Sequence, residues 1–311
     1  MKKWINELCD GERLWLEVLL NDVSRGITNK GAPYLNFVIQ DKTGTMEAKY
    51  WSVSEDELHL YKSGMYVKLK GDVINYKDQL QLRVLQIQDD SENPHDVRDY
   101  VRSAPVDKEQ MKERIQHYIS SIQNQDIKRL CEAVHLQYER DFYDYPAAAK
   151  NHHDFAGGLA THVLGMMELA TQVCVMYQFL DQDLLIAGVF LHDIGKLIEL
   201  SGPIATEYTI EGKLLGHISI MQAELAKIAD QLGIPKETAV LLRHMVLSHH
   251  GEYEYGSPVL PMLPEAEVLN MIDNLDARMN ALQKALDRTK DGEFTARIFS
   301  MENRSFYKVK K

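Results

Sequence analysis

The residues able to do chemistry crowd into the second half of the chain. "FLHDIGK" sets His192 and Asp193 at the end of an apolar run from Leu184 to Leu191, and "GGLATHVLGMM" carries His162. "LLGHISI" adds His217, "VLSHHGEY" the pair His249 and His250, and "LNMIDNLDARM" Asp273. A carboxylate at the buried end of an apolar helix is costly unless it is paired or bound to a metal, so Asp193 predicts partners. Leu269, Ile272, Asp273 and Asp276 fall on one helical face, so this acid points where the apolar stripe points. A single histidine on an apolar helix is ordinarily a satisfied core histidine, and Asp276 has a plain reading as a cap or salt-bridge partner. This many imidazoles and carboxylates on the inward faces of separate helices is another matter, because without a metal several buried polar groups would need other partners. Mixed His/Asp ligation without thiolate suits a Mn²⁺, Fe²⁺, Co²⁺ or Zn²⁺ centre that activates water. His249 continues the Leu242, Met245, Val246 face, but the sequence leaves open which of His249 and His250 ligates.

Helices must position these groups. Apolar spacing is helical from Met111 through Ile115, Tyr118 and Ile119, and later helices are predicted roughly over 125–140, 158–179, 183–200, 214–232, 236–250 and 264–287. Pro235 and Pro264 mark two of the starts. Ahead of them the period is two: Leu14 to Leu20, Leu35 to Ile39, Met46 to Tyr50, Val67 to Val73 and Leu80 to Val84 predict five half-buried strands. "QDKTGTM" closes a hairpin between strands two and three, and "SEDELHLYKSG" breaks the alternation as a short helix between strands three and four. That order describes a small five-stranded Greek-key barrel of the oligonucleotide/oligosaccharide-binding (OB) type, followed by an all-α helical bundle. The expected divisions are a barrel domain over 1–90, a polar linker over 91–107, a helical domain over 108–290 and a C-terminal tail over 291–311. That aromatic and basic tail has three readings: a subunit contact, an RNA contact or a frayed end.

With Leu35, Phe37 and Ile39 inward, Tyr34, Asn36 and Val38 face outward, and Lys49 and Trp51 share that parity on the next strand. Outward aromatics beside lysines suit base stacking and phosphate contact, with Lys68, Lys70 and Lys77 extending the path. The plainer alternative is that Tyr34 and Trp51 cover a small barrel or an interdomain surface. Net charge is −11 over 311 residues, yet Glu12 to Gln88 carries ten basic and ten acidic residues, so any nucleic acid would be gripped locally. The apolar runs are shorter than the ~20 residues a membrane span needs, and "MKKWINELCDGERLW" has no signal-peptide apolar region, so the expectation is a cytoplasmic protein. Cys9, Cys131 and Cys174 are odd in number and scattered, which suggests neither a disulfide framework nor a zinc ribbon. The acidic helical exterior permits a homo-oligomer without demanding one.

The order His162, then His192-Asp193, then Asp273 resembles the HD superfamily of metal-dependent phosphohydrolases. The resemblance implies that these four bind a first divalent ion, Mn²⁺ foremost, and that Asp193 bridges to a second. It also implies that His217, His249 and His250 stand where two-metal members carry extra ligands. The hairpin "YLNFVIQDKTGTMEAKYW" resembles that of OB domains in anticodon-binding and single-strand-binding proteins. Together with "HHDFAGGLATHVLGM", "TEYTIEGKLLGHI" and "LSHHGEYEYGSPVLP", the domain order is similar to the YhaM-type 3′→5′ exoribonucleases of Gram-positive bacteria. It implies hydrolysis of single-stranded RNA, with single-stranded DNA a further candidate, from the 3′ end with release of nucleoside 5′-monophosphates.

Within that chemistry Lys196, three residues after Asp193 on the same face, is placed to contact the phosphate; the alternative is a lysine reaching solvent. "KNHHDFAGG" offers Lys150, His152 and His153, and one of these histidines, His153 foremost, is a candidate to contact the phosphate or protonate the leaving group, against an ordinary loop role. Tyr253 and Tyr255 either stack on the terminal base or pack their loop down. Two rival readings remain. An HD hydrolase of small or cyclic nucleotides lacks here the Gly-Tyr-Pro signature of cyclic-dinucleotide members. A single-strand-binding factor with a structural HD core is disfavoured because every core ligand position is filled.

Overall fold

Alternation builds the first unit, which spans Met1–Ser103 in a computed structural model describing residues 2–28, 31–51, 53–77, 79–101, 106–147, 155–204 and 206–310. Strands β1 (Arg13–Ile27), β2 (Pro33–Asp41), β3 (Gly44–Trp51), β4 (Tyr66–Tyr76) and β5 (Gln79–Asp89) close a barrel in the order β1-β2-β3-β5-β4. Helix α1 (Glu57–Leu60) lies between β3 and β4, as the break in alternation predicts. β1 is long enough to serve two neighbours: Arg13 to Leu19 pair with β4, and Leu19 to Ile27 with β2 across a register shift between Leu20 and Asp22. β3 and β5 pair in parallel, which completes the ring and leaves no open edge. Leu35, Phe37, Ile39, Ala48, Leu69, Val73 and Leu82 fill its interior, each at 0% exposure.

The polar segment expected as a linker makes contacts of its own up to Val101. His95 stacks on Tyr66 at 4.1 Å between ring centroids, donates through Nε2 to the Asp90 carbonyl at 2.7 Å, and receives the Tyr100 hydroxyl at Nδ1 at 2.9 Å. Tyr100 and Val101 are buried, and the Lys42 amide donates to the Asp99 carbonyl. Polar composition hid a clasp made by two aromatic rings and one imidazole.

The second unit is helical: α2 (Lys108–Ser121), α3 (Gln125–Phe142), α4 (Gly158–Met176), α5 (Gln182–Leu191), α6 (Lys196–Glu199), α7 (Ile210–Leu232), α8 (Lys236–Ser248) and α9 (Pro264–Asp287). Side chains of Asp107, Asn124, Asp181 and Thr209 cap α2, α3, α5 and α7 by accepting first-turn amides. Leu184 to Leu191 are all buried, so α5 runs through the middle of the bundle. By length and composition α4 is apolar enough to cross a membrane, but half of it is buried against its neighbours in the core.

The single helix predicted over 183–200 divides. α5 ends at Leu191, His192 to Gly195 form a turn, and α6 follows. A Cβ at Gly195 would collide with the His217 backbone carbonyl, so the turn is held against α7 by the absence of a side chain. α7 is itself broken at Gly216, whose φ of 71° is left-handed, and His217 opens its second segment. The tail is not frayed over its described part: Gly292–Lys308, Thr295–Phe306 and Ile298–Arg304 form a hairpin-like return, and the Lys308 ammonium donates to the Leu286 and Thr289 carbonyls at the end of α9.

Candidate metal centre and nucleic-acid face

Four helices and one turn bring the polar residues of the second unit together. His162 comes from α4, His192 and Asp193 from the turn after α5, His217 from the break in α7, His249 and His250 from the end of α8, and Asp273 from α9. His162, His192 and His249 are 0% exposed and Asp193 is 2% exposed. Ligand atoms within each of three groups lie no more than 4.8 Å apart: His162, His192 and Asp193; His192, His249 and Asp273; His217, His249 and His250.

Asp193 stands at the centre with its two oxygens turned to different partners. Oδ2 lies 3.7 Å from His162 Nε2, 3.3 Å from His192 Nε2 and 2.6 Å from the Lys196 ammonium. Oδ1 lies 3.5 Å from His217 Nε2 and 3.8 Å from His249 Nε2. Among the described residues, Asp193 Oδ1, His217 Nε2 and His249 Nε2 are buried without a hydrogen-bond partner. Three such atoms facing one another are expensive unless a cation satisfies them, and two ligand atoms each about 2.1 Å from one cation stand about 3 to 4 Å apart. The residues therefore fit a divalent metal.

The outer hydrogen bonds agree, because each ring has its far nitrogen occupied. His192 Nδ1 donates to the Val189 carbonyl and His249 Nδ1 to the Val246 carbonyl, both at 2.8 Å, which turns the two Nε2 lone pairs inward. His162 Nδ1 donates to Asp276 at 2.7 Å, and His217 Nδ1 to Glu199 at 3.1 Å, the carboxylate–histidine arrangement that fixes tautomer and raises ligand basicity. His250 Nδ1 donates to the Tyr255 carbonyl at 2.6 Å. Glu199 is a residue that sequence reasoning missed; its signal is an acid inside the apolar "GKLIEL". Asp276, read as a cap or ion-pair partner, holds His162.

Burial opposes the charge on Asp193, yet Lys196, His192 and His217 outweigh it and hold the carboxyl well below the carboxylate range. Burial likewise opposes the His162 imidazolium, but hydrogen bonds to Asp273 and Asp276 push its pKa up to about 10. His249 is pushed far down by burial and then by the neighbouring His192 and His250. Lys196 is neither free at a helix end nor aimed away from the site: its ammonium is engaged with Asp193. His153 lies outside the described residues. Tyr253 and Tyr255 form a one-turn 3-10 helix beside His250 and are 65% and 67% exposed.

On the barrel, Tyr34 and Trp51 meet across β2 and β3 with ring centroids 4.7 Å apart. Tyr34 also lies flat over its cross-strand partner Gly26, where a Cβ would strike the ring. Trp51 keeps 42% exposure with the Lys49 ammonium 5.9 Å from its centroid. Tyr34 is thus the support and Trp51 the open platform. Lys68 is held by Asp90 at 3.2 Å and Glu17 at 3.5 Å, whereas Lys70 stands 5.9 Å from the ring of Trp15, an exposed aromatic that sequence reasoning passed over.

Residues 159–278 match the HD domain family, and residues 15–90 match the family described as OB-fold nucleic acid binding domain. The chain carries an OB-fold domain and an HD domain. HD domains form a superfamily of metal-dependent phosphohydrolases, so the first match supports a hydrolase and the second supports nucleic-acid binding. Among solved structures, the second OB-fold domain of replication protein A from Methanococcus maripaludis is similar at 17% identity, covering 30% of this chain and 100% of that one, with a TM-score of 0.26. The SSB domain of a Synechococcus sp. protein is similar at 15% identity, covering 26% and 97%, with a TM-score of 0.23. Single-stranded DNA binding protein from Thermus aquaticus is similar at 17% identity, covering 27% and 42%, also at 0.23.

Proposed function

We propose that the chain is a metal-dependent 3′→5′ exonuclease that trims single-stranded RNA to nucleoside 5′-monophosphates, with the OB-fold domain holding the strand. The observation that carries this reading is the buried Asp193, whose Oδ2 faces His162 and His192 and whose unpartnered Oδ1 faces His217 and His249. In this reading His162, His192, Asp193 and Asp273 hold one divalent cation, and His217, His249, His250 and the other oxygen of Asp193 hold a second. When bound, such cations supply Lewis-acid activation of water and neutralise charge on the phosphoryl oxygens. The protein's own part is to fix these donors. Glu199 and Asp276 hold the His217 and His162 rings in the tautomer that aims Nε2 inward. Lys196 balances the buried Asp193 charge and, as that charge is shared, supplies a cation toward the scissile phosphate. Tyr253 and Tyr255 offer exposed rings for the terminal base.

Incubation of 5′-labelled single-stranded RNA and DNA with the protein and Mn²⁺ tests this. A ladder shortened from the 3′ end, abolished in Asp193→Ala, is expected. Binding of the strand without shortening, unchanged by Asp193→Ala, would overturn the reading in favour of a binding factor, and cleavage confined to small nucleotides in favour of a mononucleotide hydrolase.

A further inference from the structure

Two outward rows cross the OB barrel side by side from β3 to β1. β1, β3 and β5 run in the same direction, so residues two places beyond a cross-strand partner are displaced together. In the first row, Lys49 on β3 pairs with Arg83 on β5, Arg83 with Asp72 on β4, and Asp72 with Arg13 on β1. The second row starts at Trp51, one place past Tyr50, the last residue of β3 paired with β5, and runs by Leu85 to Lys70 and its partner Trp15. Alternation turns Leu85 out beside the buried Val84, at 40% exposure, and a register shift between Lys70 and Gly71 leaves it without a cross-strand partner. Gly71 permits that local approach, since a Cβ there would meet the Arg83 carbonyl at 2.7 Å and the Leu82 side chain at 2.8 Å.

Chemistry divides between the rows. The second holds exposed rings at both ends, Trp51 at 42% and Trp15 at 44%, with an exposed leucine and the Lys70 ammonium between them. The first is basic apart from Asp72. Arg13 donates to Asp72 through Nε at 2.5 Å and Nη2 at 3.0 Å, and Arg83 through Nη2 at 2.5 Å. One carboxylate therefore orients two guanidinium groups whose side chains stay 62% and 51% exposed. Three strand spacings of about 4.8 Å separate β3 from β1, so the rows run roughly 14 Å around a curved wall.

We infer that Trp15 is a second base-stacking platform and that a single strand wraps the barrel from Trp51 to Trp15, its bases along the second row and its phosphates along Lys49, Arg83 and Arg13. The inference rests on the reading of the barrel as a single-strand holder. Several features favour an unpaired strand as the occupant. The rings need open base faces, the wall is too curved for a straight duplex, and the cations complement phosphates. The overall acidity of the chain does not oppose this, because along the two rows Lys49, Arg83, Arg13 and Lys70 outnumber the one carboxylate, Asp72.

Binding by the full chain, kept from cleaving by EDTA, can be read with labelled single strands of about four and about twelve nucleotides, within the range of site sizes for one OB fold. Trp51→Ala is expected to weaken both strands five-fold or more, and Trp15→Ala to weaken the longer by a similar factor while leaving the shorter unchanged, with Trp15→Phe restoring most of the loss. Arg83→Gln is expected to lower the slope of log affinity against log salt by about 0.7 for the longer strand, as loss of one phosphate contact requires. Equal affinity of wild type and Trp15→Ala for the longer strand, with Trp51→Ala still weakened, would overturn the wrapped path alone. Absence of binding by wild type, or indifference to both tryptophans, would overturn the single-strand reading of the barrel itself.

Discussion

Glu199 controls one imidazole from two directions, accepting from both the Nδ1–H and the backbone amide of His217 at 3.1 Å. Loss of an outer partner of this kind typically costs 10- to 100-fold in metal affinity. Calorimetric titration of the protein with Mn²⁺ should therefore show Glu199→Ala weakened by about that factor, with Glu199→Gln, which keeps an acceptor oxygen, close to wild type. Equal affinities in all three proteins would remove Glu199 from the site. At this scale the sequence was readable where cost is absolute: an acid after eight apolar or small residues must have partners, and the histidines to supply them were visible. Lys196 and Asp276 show the limit. Their positions were known, but only coordinates reveal that one bonds Asp193 and the other His162, because a side chain's partner depends on which helix faces it.

Elements bring those atoms together where a glycine lets two backbones approach, as at Gly195. Gly195→Ala would press a methyl group into the His217 backbone carbonyl, whereas Gly188→Ala would meet mainly the movable end of Met245. Overpacking costs about 1 to 3 kcal/mol, so thermal melts should place Gly195→Ala well below Gly188→Ala, and Mn²⁺ affinity should fall with it because His217 moves too. On the barrel, hydrogen bonds from Arg13 and then Arg83 outweigh partial desolvation and hold the Asp72 carboxyl well below its ordinary value of 3.8. A depressed acid stabilises the fold fully above its unfolded pKa and loses that contribution as pH falls through the folded one. Urea melts followed by tryptophan fluorescence should show wild type more stable than Asp72→Asn at neutral pH, with the gap closing as pH drops below 3.8. A gap independent of pH would exclude the ionised pair. Strands and helices were legible as periods of two and 3.6, but the interruption of 183–200 was not, since the turn is imposed by α7 packing on Gly195 rather than by any local breaker strong enough to announce it.

For the molecule as a whole, the proposed division between a barrel that holds the strand and a helical domain that hydrolyses it predicts separable kinetics. Trp51→Ala should raise KM for a long RNA five-fold or more, and leave hydrolysis of a small phosphodiester such as bis(p-nitrophenyl) phosphate unchanged, because stacking is worth about 1 to 3 kcal/mol per base and the small ester has no strand to hold. A parallel loss on both substrates would count against the division of labour. The sequence by itself determined the kinds of unit: hydrophobic period is a local property, so a five-stranded barrel before a helical bundle, and a His/Asp cluster on inward faces, could be read without coordinates. What only the tertiary structure decided was orientation. The two oxygens of Asp193 face opposite sets of imidazoles, Tyr34 lies on Gly26 and leaves Trp51 open, and Trp15 joins Trp51 in one row across strands far apart in the chain. These depend on register and on helix packing, which arise from contacts between distant segments and leave no mark on the spacing of neighbours.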